Sequence, residues 1–201
     1  MKYVKMASLA VVAVAALMAF VGSSDASADV LCTEAKTPCP AGKRVSEIHA
    51  VNTKTVKITT GYNTIECTGS TITGVVTADG GAGVPVEMAL STYTLTGCNC
   101  SVTVVEKGTF KINQIGGTNN GAITSNGTEI TTSCNTVFGT VHCLYGTENT
   151  ALGEIVGAAE SFLVMEEDHL LWATNVLCSE KAQLDAQYTI TNHNAVYVVS
   201  N

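Results

Sequence analysis

Eight cysteines and four histidines are the residues here best equipped for chemistry. The cysteines are Cys32, Cys39, Cys67, Cys98, Cys100, Cys134, Cys143 and Cys178. Their number is even, which in an oxidising compartment points to four disulfides. A metal would draw on Cys98-Asn99-Cys100 and His142-Cys143, but these lack the paired C-x-x-C spacing of zinc sites. No metal and no cofactor is therefore expected. The histidines are His49, His142, His169 and His193. Asp168 and His169 are neighbours in sequence, yet neighbours on a strand point to opposite faces. No serine sits in a G-x-S-x-G elbow. A triad can also assemble from distant positions, so a secreted hydrolase built around His142 or His169 stands as the alternative to a non-enzymatic reading. No catalytic residue is assigned.

Other motifs have simpler readings. Glu166, Glu167 and Asp168 could offer oxygen ligands to calcium, but a solvated turn is expected. Asp79-Gly80-Gly81-Ala82-Gly83 lacks the following helix and the Lys-Ser/Thr of a phosphate cradle, so it reads as a hairpin loop. Asn99-Cys100-Ser101 and Asn126-Gly127-Thr128 match the glycosylation sequon, and of the two Asn126 is the accessible acceptor. Trp172, Tyr188 and Ile190 fall at core positions.

The elements that must position these residues are strands. The chain contains 28 threonines and 18 glycines, and charged residues make up 13% of it. Threonine is β-branched and favours strands, so the composition is all-β. Tyr93 to Val105 is the longest β-patterned run and the expected hub. Val84, Val86, Met88 and Leu90 lead into it on one parity, and Tyr93 and Leu95 follow on the other. Cys98, Cys100, Val102 and Val104 share a face after a bend at Gly97, so both thiols should point inward and reach two different neighbours. Strands are expected at 53–59, 64–67, 72–77, 109–113, 129–134, 137–145, 151–156, 159–165, 170–175, 186–191 and 195–199. Asn126-Gly127 is read as a hairpin turn, 178–182 as one helical turn, and 186–199 as a closing hairpin. About a dozen strands at this spacing predict a disulfide-stapled antiparallel β-sandwich or barrel.

An export segment precedes this domain. Lys2 and Lys5 lead an apolar run from Met6 to Val21, followed by Ala26-Ser27-Ala28. That order is a signal peptide over 1–28, with one secreted domain over 29–201 and an N-terminal arm over 29–50. The run is too short for a membrane anchor, and no later segment is a spanning helix. The whole chain carries a formal charge of −7. An acidic balance excludes nucleic acid and anionic membranes, leaving an extracellular or cell-surface partner.

The cysteines can then be paired. Cys32 and Cys39 are close in sequence, with prolines to turn the chain, and should close a local loop. Cys98 cannot bond Cys100 along an extended strand, because alternate Cα atoms lie too far apart and their side chains run parallel. Each should reach another segment, Cys67 upstream and Cys134 downstream. Cys67–Cys98 and Cys100–Cys134 are expected, with the choice of Cys98 or Cys100 for Cys67 left open because both face the same way. Cys143–Cys178 should then fasten the C-terminal strands. The run Cys67-Thr68-Gly69-Ser70-Thr71-Ile72-Thr73-Gly74, the glycine loop, and Leu95-Thr96-Gly97-Cys98 together resemble small secreted bacterial proteins, in layout the family labelled activator of alkane oxidation. The resemblance spans Cys67 to Val105. It implies an exported bacterial β-protein and carries over no functional residue, the family's Leu-Pro-Trp segment having no counterpart here. Export gives the first test. Protein recovered outside the cytoplasm should begin at Asp29 by intact-mass measurement, and retention of Met1 to Val21 would mark an anchored protein instead.

Overall fold

The computed structural model describes residues 28–61, 63–81, 84–136, 139–165, 170–173, 178–179 and 181–201. Fifteen strands are present: β1 (Asp29–Cys32), β2 (Glu47–Asn52), β3 (Val56–Thr59), β4 (Thr64–Ala78), β5 (Val86–Cys98), β6 (Ser101–Glu106), β7 (Thr109–Gln114), β8 (Gly121–Asn126), β9 (Glu129–Thr136), β10 (Gly139–Gly146), β11 (Thr150–Val156), β12 (Phe162–Met165), β13 (Leu170–Ala173), β14 (Lys181–Ile190) and β15 (Tyr197–Ser200).

The pairings resolve into eight staves in chain order. β2 and β3 form one interrupted stave, since both pair with β4 on one side and β14 on the other. β4, β5 and β14 are continuous. β6 and β7, β9 and β8, β10 and β11, and β13 and β12 are the halves of the other four. One half of each set runs through β9, β10 and β13, and the other through β8, β11 and β12. β12 and β13 both pair with β14, and β7 pairs with β5. The result is an antiparallel up-and-down barrel, closed through β5, β7, β8, β11, β12, β14, β2 and β4.

Alternation of side chains gives the barrel its inside and outside. Along β14, Ala182, Leu184, Ala186, Tyr188 and Ile190 are buried, while Lys181 and Gln183 are exposed. Along β4, Ile65, Cys67, Ile72 and Gly74 face in and Glu66, Thr68 and Thr71 face out. A membrane barrel needs an apolar outer band, and these outer residues are polar. Interior isoleucines and valines at zero to a few per cent exposure make one continuous core.

One end of the barrel is capped. β1 and β15 pair as a two-stranded ribbon. Leu31 and Val198 on one face join the main core. Val30, Cys32 and Val199 on the other face form a small second core with Cys39. Gln114 ties the ribbon down: its N–H donates to Asp29 Oδ2 at 2.7 Å, and its side-chain amide donates to the Val198 carbonyl at 3.1 Å. Thus β15 closes against β1, and the hairpin expected over 186–199 does not form. The helical turn expected at 178–182 is also corrected, because Lys181 and Ala182 already lie in β14.

Asn126-Gly127 requires a further correction. β8 and β9, on either side of it, do not pair with each other; they are two halves of one stave. The turn is a corner, and two more corners stack on it at Lys107-Gly108 and Gly146-Thr147. Gly108 has φ +70°, and a Cβ there would lie 2.5 Å from the Asn126 carbonyl oxygen, so only glycine fits. Buried hydroxyls join the three. Ser125 Oγ lies 3.0 Å from both Thr128 Oγ1 and Thr147 Oγ1. Thr128 N–H donates to Thr147 Oγ1 at 3.0 Å, and Thr128 Oγ1 donates to the Lys107 carbonyl at 2.8 Å. One direction of proton donation satisfies every member: Thr147 to Ser125, Ser125 to Thr128, Thr128 to Lys107. Thr147→Val leaves the Thr128 N–H buried without this acceptor. It should lower stability by about 1–3 kcal/mol in denaturant titration, and a loss below about 0.5 kcal/mol would show that the corner does not rest on these hydroxyls.

Candidate functional site

The four disulfides are Cys32–Cys39, Cys67–Cys98, Cys100–Cys134 and Cys143–Cys178, the pairing set out above. The first lies in the cap. The other three gather at the opposite end of the barrel. Cys67 and Cys98 stand directly opposite each other on β4 and β5. Cys100 lies in the turn after β5, and its bond to Cys134 holds that turn to β9.

The hub run is therefore two strands. β5 ends at Cys98 and β6 begins at Ser101, with Asn99 and Cys100 between them. The physical reason lies in Asn99 and its flanking bonds. Asn99 Oδ1 accepts the Glu66 N–H at 3.0 Å, Asn99 Nδ2 donates to the Thr64 carbonyl at 3.1 Å, and Asn99 N–H donates to the Glu66 carbonyl at 3.0 Å. Asn99 thus stays with β4, while Cys100 is drawn to β9.

A seam opens as a result. β5 pairs with β7 only from Val86 to Ala89, and β6 pairs only with β9. One further bond, from Leu90 N–H to the Gly108 carbonyl at 3.1 Å, closes the lower end. Between that bond and the Asn99-Cys100 turn, the facing edges of β5 and β6 share no ladder among the described residues. Most inward side chains elsewhere are almost fully buried, with Val76 and Val141 only partly so. Along the seam, Tyr93 and Leu95 on one lip and Val102 and Val104 on the other are only half-buried against the core. Val105, 52% exposed, extends the apolar strip outward.

Behind the seam the interior is filled. A cavity of about 20 Å³ lies among Tyr93, Phe110, Ile130, Tyr145, Leu152 and Leu184. That is space for one water-sized body and for no organic ligand. Tyr188 is fully buried, with its hydroxyl 3.0 Å from Ser70 Oγ, which donates to the Thr94 carbonyl at 2.8 Å. Tyr93 hydrogen-bonds Tyr188 in turn. Burial pushes the Tyr188 phenol up to about 12. Burial of its phenol, then the neighbouring Tyr188, pushes Tyr93 well above the ordinary tyrosine range.

The histidines separate into two places. His49 and His193 meet at Glu47 near the cap: His49 Nε2 is 3.2 Å from Glu47 Oε2, and His193 Nε2 is 2.9 Å from the Glu47 carbonyl. His142 lies on β10 in a groove of about 330 Å³ that crosses β6, β9 and β10. Ser133 is opposite both His142 and Ser101 in register, so the three form a row on one face. Among the described residues no group of three or more His, Cys, Asp or Glu could hold a metal. His169, the acidic turn 166–168, the export segment and the Trp172 side chain lie outside the described residues. Of the two sequons, Asn99 has its side-chain amide engaged with β4, whereas Asn126 is exposed.

Sequence reasoning located the cysteines but missed the seam. The available signal was two cysteines two residues apart followed by the short run Ser101-Val-Thr-Val-Val-Glu106, which a strand reading merged into the hub. Compared with protein-family models, with curated proteins and with solved structures, the chain matches none.

The buried phenols set an alkaline limit on stability. Below pH 10, the ordinary tyrosine value, Tyr93 and Tyr188 are protonated in the folded and the unfolded chain and this contribution is fully present. Above it the unfolded chain releases these protons while Tyr93 and Tyr188 retain theirs, so stability falls as pH rises towards 12. The slope should be about 1.4 kcal/mol per pH unit for each phenol. Urea titrations from pH 9 to 12 should show that slope reduced in Tyr188→Phe; an identical slope would remove Tyr188 from the account.

Proposed function

We propose that this is an exported, non-enzymatic barrel that acts outside the cytoplasm or at the cell surface as a binding module, with the β5–β6 seam as its recognition surface. The observation that carries the reading is the half-exposed apolar strip between two strand edges that share no ladder among the described residues. Support for the location comes from the four disulfides, which persist in oxidising compartments. The charge of −7 argues for a protein or peptide partner over nucleic acid. Cleavage after Ala28, bacterial origin and kinship with the secreted proteins that Cys67–Val105 resembles belong to the same proposal. Shape supports it: the interior cavities among the described residues hold about 20 Å³ each, so recognition falls to the surface.

A second reading has one observation in its favour. Ser133 and His142 are in-register neighbours on adjacent strands, one arrangement that can bring a nucleophile and its base together. Hydrolysis also needs donors for the developing oxyanion and a group orienting the base, and the described groove supplies neither in a recognisable form. The oxidised protein is expected to turn over no member of an ester, amide and glycoside substrate panel. Turnover abolished by both Ser133→Ala and His142→Ala would replace the binding reading with a hydrolase.

A further inference from the structure

The seam has three chemical properties, and together they specify what fits it. The first is backbone. Over Ser101 to Glu106 the edge of β6 turned away from β9 shares no ladder with another strand among the described residues, although β5 packs beside it, and β5 beyond Leu90 is likewise paired on one side only. Unpaired N–H and C=O groups in a row are matched by one kind of molecule, another extended polypeptide. The second is periodicity. Val102 and Val104 are half-buried at alternate positions, with Tyr93 and Leu95 across from them, so an added strand would find apolar contact at every second residue. The third is charge. At the lower end of β6, Glu106 stands directly opposite Glu129. Like charges in register repel, and neither carboxylate takes part in an ion pair among the described residues.

Building on the reading of the seam as the recognition surface, we propose that its occupant is an extended peptide segment that adds to β6 as an antiparallel strand. It carries apolar residues at alternate positions and a cationic residue at its N-terminal end, beside Glu106. The six residues of β6 set the length of the contact, about 20 Å of strand. Both ends are bounded, by the Asn99-Cys100 turn and by the Leu90–Gly108 bond, so the site takes a short segment. A second copy of this chain matches less well. Two β6 edges paired antiparallel about Thr103 and Val104 would set each Glu106 opposite a Ser101, so neither Glu106 would meet a cation in the paired strand.

The test uses two synthetic eight-residue peptides of alternating valine and threonine, one headed by arginine and one by glutamate, with the oxidised full domain. Amide hydrogen exchange reads the site. The arginine-headed peptide should slow exchange within Ser101–Glu106 and leave the β14 amides unchanged. It should bind at least about tenfold more tightly than the glutamate-headed one, and the preference should reverse in the exposed variant Glu106→Lys. Equal binding of the two peptides, or no protection of Ser101–Glu106 by either, overturns the proposal. So does protection that grows with protein concentration in the absence of peptide, since that assigns the edge to a second copy. Retention of Val104→Asp on the native cell surface separates this failure from that of the parent reading. Lost retention without peptide binding overturns strand addition and keeps the seam as the binding surface, whereas undiminished retention overturns both.

Discussion

Cys98 and Cys100 are two residues apart and are tied in opposite directions, and the shape of the whole upper barrel follows from that. A strand-turn-strand segment ordinarily folds back as a hairpin and satisfies its own backbone. Here β5 is fastened to β4 and the turn to β9, so the two arms are held apart. The energetics favour the split. The two links join residues 31 and 34 positions apart, and each contributes about 3–4 kcal/mol in the chain-entropy model. A ladder bond forgone along the seam costs only about 0.5–1.5 kcal/mol net, because water replaces it. Asn99 adds three hydrogen bonds to β4 and removes the remaining freedom of the turn.

The opposite problem is solved lower down. Five of the eight staves are interrupted, and an interrupted stave must place its corner somewhere. Three corners stack near Gly108, Gly127 and Thr147 and share buried hydroxyls instead of water. Ser125 is fully buried, and Thr128 and Thr147 nearly so. Threonine suits this position because its methyl group packs as a core atom while its hydroxyl supplies both a donor and an acceptor. The same residue type covers the outside of β4 and β5, where Thr71 Oγ1 lies 2.6 Å from Thr94 Oγ1 across the strand pair. One composition therefore serves two environments, which explains how a chain with 13% charged residues keeps a polar exterior.

Much of this was legible in the sequence, and the limit was physical. The β class followed from threonine content and period-two alternation, and the buried Val86, Met88 and Leu90 followed from parity. Strand geometry excluded a Cys98–Cys100 bond but left the partner of Cys67 open between the two, and the structure gives it to Cys98. What failed was connectivity. Asn126-Gly127 carries a hairpin signal, and locally the turn behaves as one with Gly127 at φ +70°. Which strands then pair depends on partners twenty residues away, such as Thr147, whose carbonyl accepts the Gly127 N–H at 2.9 Å. The merging of β5 with β6 failed for the same reason. A local pattern cannot register a break imposed by Cys67 and Cys134 from outside the segment. The candidate site is such a break, so it was the least legible part of the chain.

Closing a sheet into a barrel removes its edges, and with them the template on which chains aggregate. This barrel gives up that protection along the β5–β6 seam, and the features beside the seam are those that limit an exposed edge. β6 is only six residues long, its register against β9 shifts between Val104 and Glu106, and it ends in a charged pair of residues, Glu106 and Lys107. A short, bulged, charged edge resists indefinite stacking of identical strands, because each added copy brings the same carboxylate into the same row. It does not resist a single strand of complementary charge. The constraints that keep the open seam from joining copies of the chain are thus the ones that leave it selective, and a barrel stapled by disulfides on both lips can hold that geometry without a partner in place.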